Sequence, residues 1–187
     1  MIMARIKPVS SILFTAVLAI PSVGLAEPVR DDCVRGEPVP VFAPTKSGLR
    51  SYQFRSPAGE GARELGSLGP GESLEIRHGG CEYLVMTIRF TSRKLRRQDV
   101  SGANAYPLAA GVLQRMHKLK AQSPYDLVLA AKTLIDASRR RSHPDFGESL
   151  PVDGDGIDFL QTQIQIDKAG LSHGFGFVEF SLFKGPL

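Results

Sequence analysis

The chain has 187 residues, 42% of them hydrophobic and 22% charged, with two cysteines, no tryptophan and a formal net charge of +4. That length suits one domain with a core of its own. Two of the positive charges, Arg5 and Lys7, sit in a leader, and without them 21 basic face 19 acidic residues, a net +2 that argues against a dedicated nucleic-acid binder.

Residues 1–26 read as a cleaved secretory signal peptide. Arg5 and Lys7 give a basic start, Val9 to Ile20 an apolar run, and Gly24 and Ala26 the small residues a signal peptidase reads. The apolar run stops at Pro21, short of the about 20 residues a transmembrane anchor needs. Residues 27–187 are then expected as a single α+β domain, exported to the periplasm or, alternatively, outside the cell, with no transmembrane anchor left. One pair of cysteines in an exported chain points to a disulfide between Cys33 and Cys81. Closing a loop of that length contributes on the order of 4 kcal/mol in the chain-entropy model.

Pro38 to Phe42 reads as an extended segment whose prolines suit an edge strand. Leu49 to Arg55 alternates Tyr52 and Phe54 with Ser51 and Gln53, and Ala62 to Leu68 forms a weaker strand after the breakers of Ser56 to Gly61. The central ribbon is Gly71 to Phe90. Leu74 and Ile76 share one face of its first strand, and Leu84, Met86, Ile88 and Phe90 one face of its second. Gly79-Gly80 marks the turn. Burial favours a three-residue bulged loop, with Ile76 opposite Leu84 and Leu74 opposite Met86, over the two-residue loop that would pair Arg77 with Glu82.

Composition then switches to helix. Asn104 is the expected cap of a helix running to about Gln122, with Pro107 in its first turn and Ala109, Val112, Leu113, Met116 and Leu119 as its buried stripe. Ser123-Pro124-Tyr125-Asp126 announces a second helix, capped by the serine, with Leu127, Val128, Ala131, Leu134 and Ile135 inward and Arg139, Arg140 and Arg141 at its C-terminal end. The short link makes the pair antiparallel. After a loop from His143 to Asp155, strands follow at Ile157 to Asp167 and Phe175 to Phe183, the last apolar on both faces.

No catalytic or metal motif accompanies these elements. Asp153 to Asp158 lacks an oxygen ligand where a calcium loop needs one, at Ile157, and reads as an Asp-Gly turn. His78, His117, His143 and His173 make no metal spacing, and the Ser172-His173 pair lacks a nucleophile elbow. Glu72, Glu75, Glu82 and Glu179 are carboxylates, but spacing alone cannot show that two converge. No cofactor is implied.

Three basic clusters remain: Arg93, Lys94, Arg96 and Arg97; Arg115, Lys118 and Lys120; and Arg139, Arg140 and Arg141. The first and third are the candidate binding residues, suited to an acidic protein or an anionic envelope polymer. The fold class expected is α+β: an antiparallel sheet, built from an N-terminal meander and a C-terminal hairpin, packed against an antiparallel two-helix hairpin. The layout is similar to that of periplasmic inhibitor or immunity-type proteins. It implies a non-enzymatic exported binding protein; an envelope-polymer or small-molecule hydrolase and a structural envelope component are the alternatives.

Overall fold

A computed structural model describes residues 38–43, 48–56, 61–80, 84–140, 142–152 and 161–185. The leader, Cys33 and Cys81 with their expected bridge, Glu82, Arg141 and the Asp153 to Asp158 turn lie outside the described residues. The strands are β1 (Arg50–Arg55), β2 (Ala62–Ser67), β3 (Glu72–Gly79), β4 (Leu84–Ser92), β5 (Leu150–Pro151), β6 (Gln163–Ser172) and β7 (Phe175–Lys184). Two helices, α1 (Ala105–Lys118) and α2 (Leu127–Ser138), fall between β4 and β5. All seven strands join one antiparallel sheet in the order β1-β2-β3-β4-β7-β6-β5. This is the α+β arrangement expected, and the C-terminal hairpin does extend the meander's sheet.

Period-2 alternation gives that sheet two unlike faces. Leu74, Ile76, Met86, Ile88, Phe90, Ile164, Ile166, Val178, Phe180 and Leu182 all lie on one face and are buried. The helices cover that face, contributing Tyr106, Leu113, Met116, Leu127 and Leu134 to the same core. Ala109, Ala110, Ala130, Ala131 and Ala137 are buried as well, and such small side chains let the two helices approach closely. Buried Tyr106 donates its hydroxyl to the Pro144 carbonyl at 2.8 Å, fastening the chain beyond α2 to α1.

Several local expectations are corrected. The central ribbon adopts neither short-loop register: Ile76 faces Ile88, Leu74 faces Phe90 and Gly79 faces Val85. Relative to the bulged alternative β4 has slid by four residues. An even slip keeps every side chain on its face, so burial alone does not choose between the two. The observed register also sets Glu75 opposite Arg89, and an opposite-charge cross-strand pair is the term the simpler argument left out.

Val41 and Phe42 are buried but form no strand; their amides bond to a side chain instead of a ladder. Helix α2 is capped by Asp126, whose carboxylate accepts from the Val128 and Leu129 amides at 3.0 and 2.9 Å. Ser123 accepts only from Tyr125, so the helix starts three residues later than its proline suggests, and Val128 is left half exposed. Asn104 precedes α1 without a side-chain cap, donating to the Gln98 carbonyl instead. Strand β6 runs on to Ser172, and His173 and Gly174, with φ of 50° and 80°, form the two-residue turn into β7.

Gly176 opens β7 where Leu95 crosses the helix-side face. A Cβ there would sit 2.4 Å from Leu95 Cβ and 3.1 Å from its carbonyl oxygen, backbone that cannot swing aside. Gly176→Ala is therefore expected to cost about 1–3 kcal/mol in urea unfolding. An unchanged midpoint would mean the crossing is loose.

Candidate binding surface

Two polar constellations stand out, one on each face. On the helix side Glu64 of β2 is 2% exposed, and its carboxylate accepts four hydrogen bonds or contacts. Val41 N donates to Oε1 at 2.8 Å and Phe42 N to Oε2 at 3.2 Å. Tyr52 donates its hydroxyl to Oε2 at 2.8 Å, and His78 Nε2 meets Oε1 at 2.6 Å. Burial, then the bond to Glu64 and its charge, push the Tyr52 phenol well above its ordinary 10. The carboxylate is closed off by main chain and has no approach for a substrate, so this is a structural clasp that holds the strand-free Val41-Phe42 segment onto the sheet.

Among the described residues no helix covers the other face. Because facing residues share a side, the register arranges it in cross-strand rows. Val85, Phe183 and Gln163 form one row, and Arg77, Thr87, Ser181 and Gln165 the next. Glu75, Arg89, Glu179 and Lys168 follow, then Ser73, Thr91, Phe177 and Gly170. Arg93 closes the end of the sheet over Phe175.

Glu179, 5% exposed, is the hub. Arg77 and Arg89 reach its Oε2 and Lys168 its Oε1, each at 3.0 Å. Burial alone would raise its carboxyl; hydrogen bonds from Lys168 and Arg89 and the charge of Arg77 outweigh that and hold it below its ordinary 4.5. An acid held ionised in this way cannot serve as proton donor near neutral pH. Glu75 meets Arg63 at 2.9 Å. Glu72 points to the other side, against Arg115 at 2.6 Å. Glu72, Glu75 and Glu179, the described carboxylates that the sequence singled out, are thus each ion-paired with an arginine or lysine.

Lys168 reaches Glu179 because the ladder slips between Ile166 and Lys168. At this bulge two successive side chains, Asp167 and Lys168, serve the same face. Asp167 accepts from Ser181 Oγ and from Gln165 Nε2, both at 2.6 Å, while Thr87 and Ser181 hydroxyls lie 3.0 Å apart. On this face two arginines lie over aromatic rings: Arg89 is 4.1 Å from the Phe177 centroid and Arg93 4.9 Å from that of Phe175. Phe177 in turn covers Gly170, where a Cβ would be 3.7 Å from the ring.

Of the basic residues singled out by sequence, only Arg93 belongs to this face. Lys94, Arg96 and Arg97 are exposed in the turn beyond β4 and the 3-10 turn that follows. Arg139 and Arg140 are exposed at the end of α2, on the far side of the sheet, and Arg139 meets Asp136 of its own helix at 3.9 Å. Arg115 is taken up by Glu72 and by the Leu68 carbonyl. The clusters therefore do not converge on one surface. Arg77, Arg89 and Lys168 were missed because each is isolated in sequence; Arg77 and Arg89 stand at odd positions of β3 and β4, and Lys168 joins them through the bulge in β6, a relation readable only with the register.

Among the described residues no group of three or more His, Cys, Asp or Glu side chains could hold a metal ion, and no helix is long and apolar enough to cross a membrane. Comparison with known proteins finds no match, either to a family model, to a curated sequence or to a solved structure.

Proposed function

We propose that the chain is an exported, periplasmic, non-enzymatic binding protein that recognises a polyanionic macromolecule through the helix-free face of its sheet. In this reading the leader is removed on export and Cys33 and Cys81 are joined in the oxidising compartment. The observation that carries it is the fixed arrangement of Arg77, Arg89 and Lys168 around one buried carboxylate, with Arg89 and Arg93 on phenylalanine rings. Among the described residues, Arg50, Arg55, Arg63, Arg77, Arg89, Arg93 and Lys168 outnumber Glu75, Asp167 and Glu179 on that face. Cations already ordered by stacks and ion pairs lose less side-chain freedom when an anion docks.

The test is retention on immobilised polygalacturonate, poly-L-glutamate and polyphosphate at about 50 and 200 mM salt, a range over which polyanion contacts weaken steeply. Wild type is expected to bind at least one of them, and Arg77→Ser/Arg89→Ser/Arg93→Ser to lose at least tenfold in affinity, a little over 1 kcal/mol. Arg139→Ser/Arg140→Ser is expected to bind as wild type does. Equal loss in the helix variant, or none in the sheet variant, would move recognition off this face.

A further inference from the structure

We infer that the polyanion is a hydroxyl-rich acidic glycan, of the uronic-acid kind, lying along the strands of the helix-free face. This rests on the reading above and adds to it the chemistry of the rows that flank the charged one. Arginine and lysine alone would suit any polyanion. The flanking rows offer something else: Thr87, Ser181, Gln163 and Gln165 on one side, Ser73 and Thr91 on the other.

Hydroxyl and amide groups both donate and accept, as sugar hydroxyls do. Asp167, partly exposed among them, accepts only. An acceptor carboxylate repels any anionic group, the uronate's own included, but takes a hydrogen bond from the sugar hydroxyls that polyphosphate and polyglutamate lack along their length. A shallow groove lined by Val85, Gln163, Gln165, Ser181 and Phe183 adds an apolar wall beside the amides. A second depression, lined by Gly71, Glu72, Ser73, Thr91, Arg93 and Phe175, places a guanidinium and two hydroxyls at the opposite end, the Glu72 carboxylate being held by Arg115.

Val85 and Thr91, six residues apart on β4, separate the two depressions by about 20 Å, with the Glu179 cluster between them. A polymer of several sugar units fits that length, whereas a single small anion would use one end. An acidic peptide is the less favoured occupant. The face of an interior sheet presents no unpaired main chain, so a peptide strand finds there none of the ladder bonds that it gains at a sheet edge.

The experiment titrates the full exported chain with polygalacturonate, poly-L-glutamate matched in carboxylate concentration, and neutral dextran. Polygalacturonate is expected to bind at least tenfold more tightly than poly-L-glutamate, with no measurable binding to dextran. Gln163→Ala/Gln165→Ala, checked for wild-type thermal unfolding, is expected to weaken the polygalacturonate complex about fivefold and to leave any poly-L-glutamate binding unchanged. Equal or tighter binding of poly-L-glutamate would overturn the glycan assignment while sparing the polyanion reading. So would a glutamine variant that binds polygalacturonate as wild type does. Failure of every polyanion to bind would overturn both.

Discussion

Replacing Glu64 by leucine is expected to destabilise the fold by about 3–5 kcal/mol, seen as a fall in the guanidinium midpoint. The change removes one acceptor and strands four groups: the Val41 and Phe42 amides, the Tyr52 hydroxyl and the His78 ring. Each buried orphan costs on the order of 1–3 kcal/mol, less than additively once water enters. Tyr52→Phe removes a single donor from a carboxylate that keeps three others, and should cost about 1 kcal/mol. The amides of Val41 and Phe42 should also exchange with solvent much faster in the leucine variant, since no strand partner protects them. If Glu64→Leu were no worse than Tyr52→Phe, the buried carboxylate would not be what holds the N-terminal segment in place.

The two-layer architecture was legible because it depends on periodicity. Leu74, Ile76, Met86, Ile88 and Phe90 declare one face of the ribbon, and Leu127, Ala131 and Leu134 one face of α2, without reference to anything distant. The candidate site was not legible for the opposite reason. Glu179 meets Arg77 and Arg89 across three adjacent strands, and those residues are about 90 or more positions apart in the chain. No local rule links them until the order β3-β4-β7 is known. The register error in the ribbon shows the same limit: a slip of four preserved every buried face, so the pattern that identifies a strand was blind to which residues it opposes. Sequence favours runs of like charge, and so pointed to Arg139 and Arg140, which stand in solvent, rather than to cations dispersed one per strand. Glu64 was overlooked for a related reason. A glutamate in a strand ordinarily faces water, and only the passage of Val41-Phe42 beneath the helices gives this one a reason to be inside.

Glu179→Gln should lower stability and raise polyanion affinity together. The substitution keeps the shape of the side chain but removes the counter-ion shared by Arg77, Arg89 and Lys168. The cost is expected near 2 kcal/mol, less than for a fully buried pair, because Arg77 and Lys168 side chains are 47% and 58% exposed and water screens them. Its pH dependence follows from the direction of the shift. The carboxyl of Glu179 titrates below its ordinary 4.5 in the fold, so its contribution is fully present above about 4.5 and disappears as pH falls through the lower folded value. Urea midpoints of wild type and variant should therefore differ at pH 7 and converge in acid; a constant difference down to pH 2 would assign the loss to packing rather than charge. On the surface, the positive excess of the helix-free face rises by one, and Arg77, Arg89 and Lys168 lose the carboxylate they share. Polygalacturonate should then bind the variant a few times more tightly at low salt, with a steeper salt dependence. A weaker complex would mean that Glu179 positions the arginines for the ligand, and that their order, not their charge, sets the affinity.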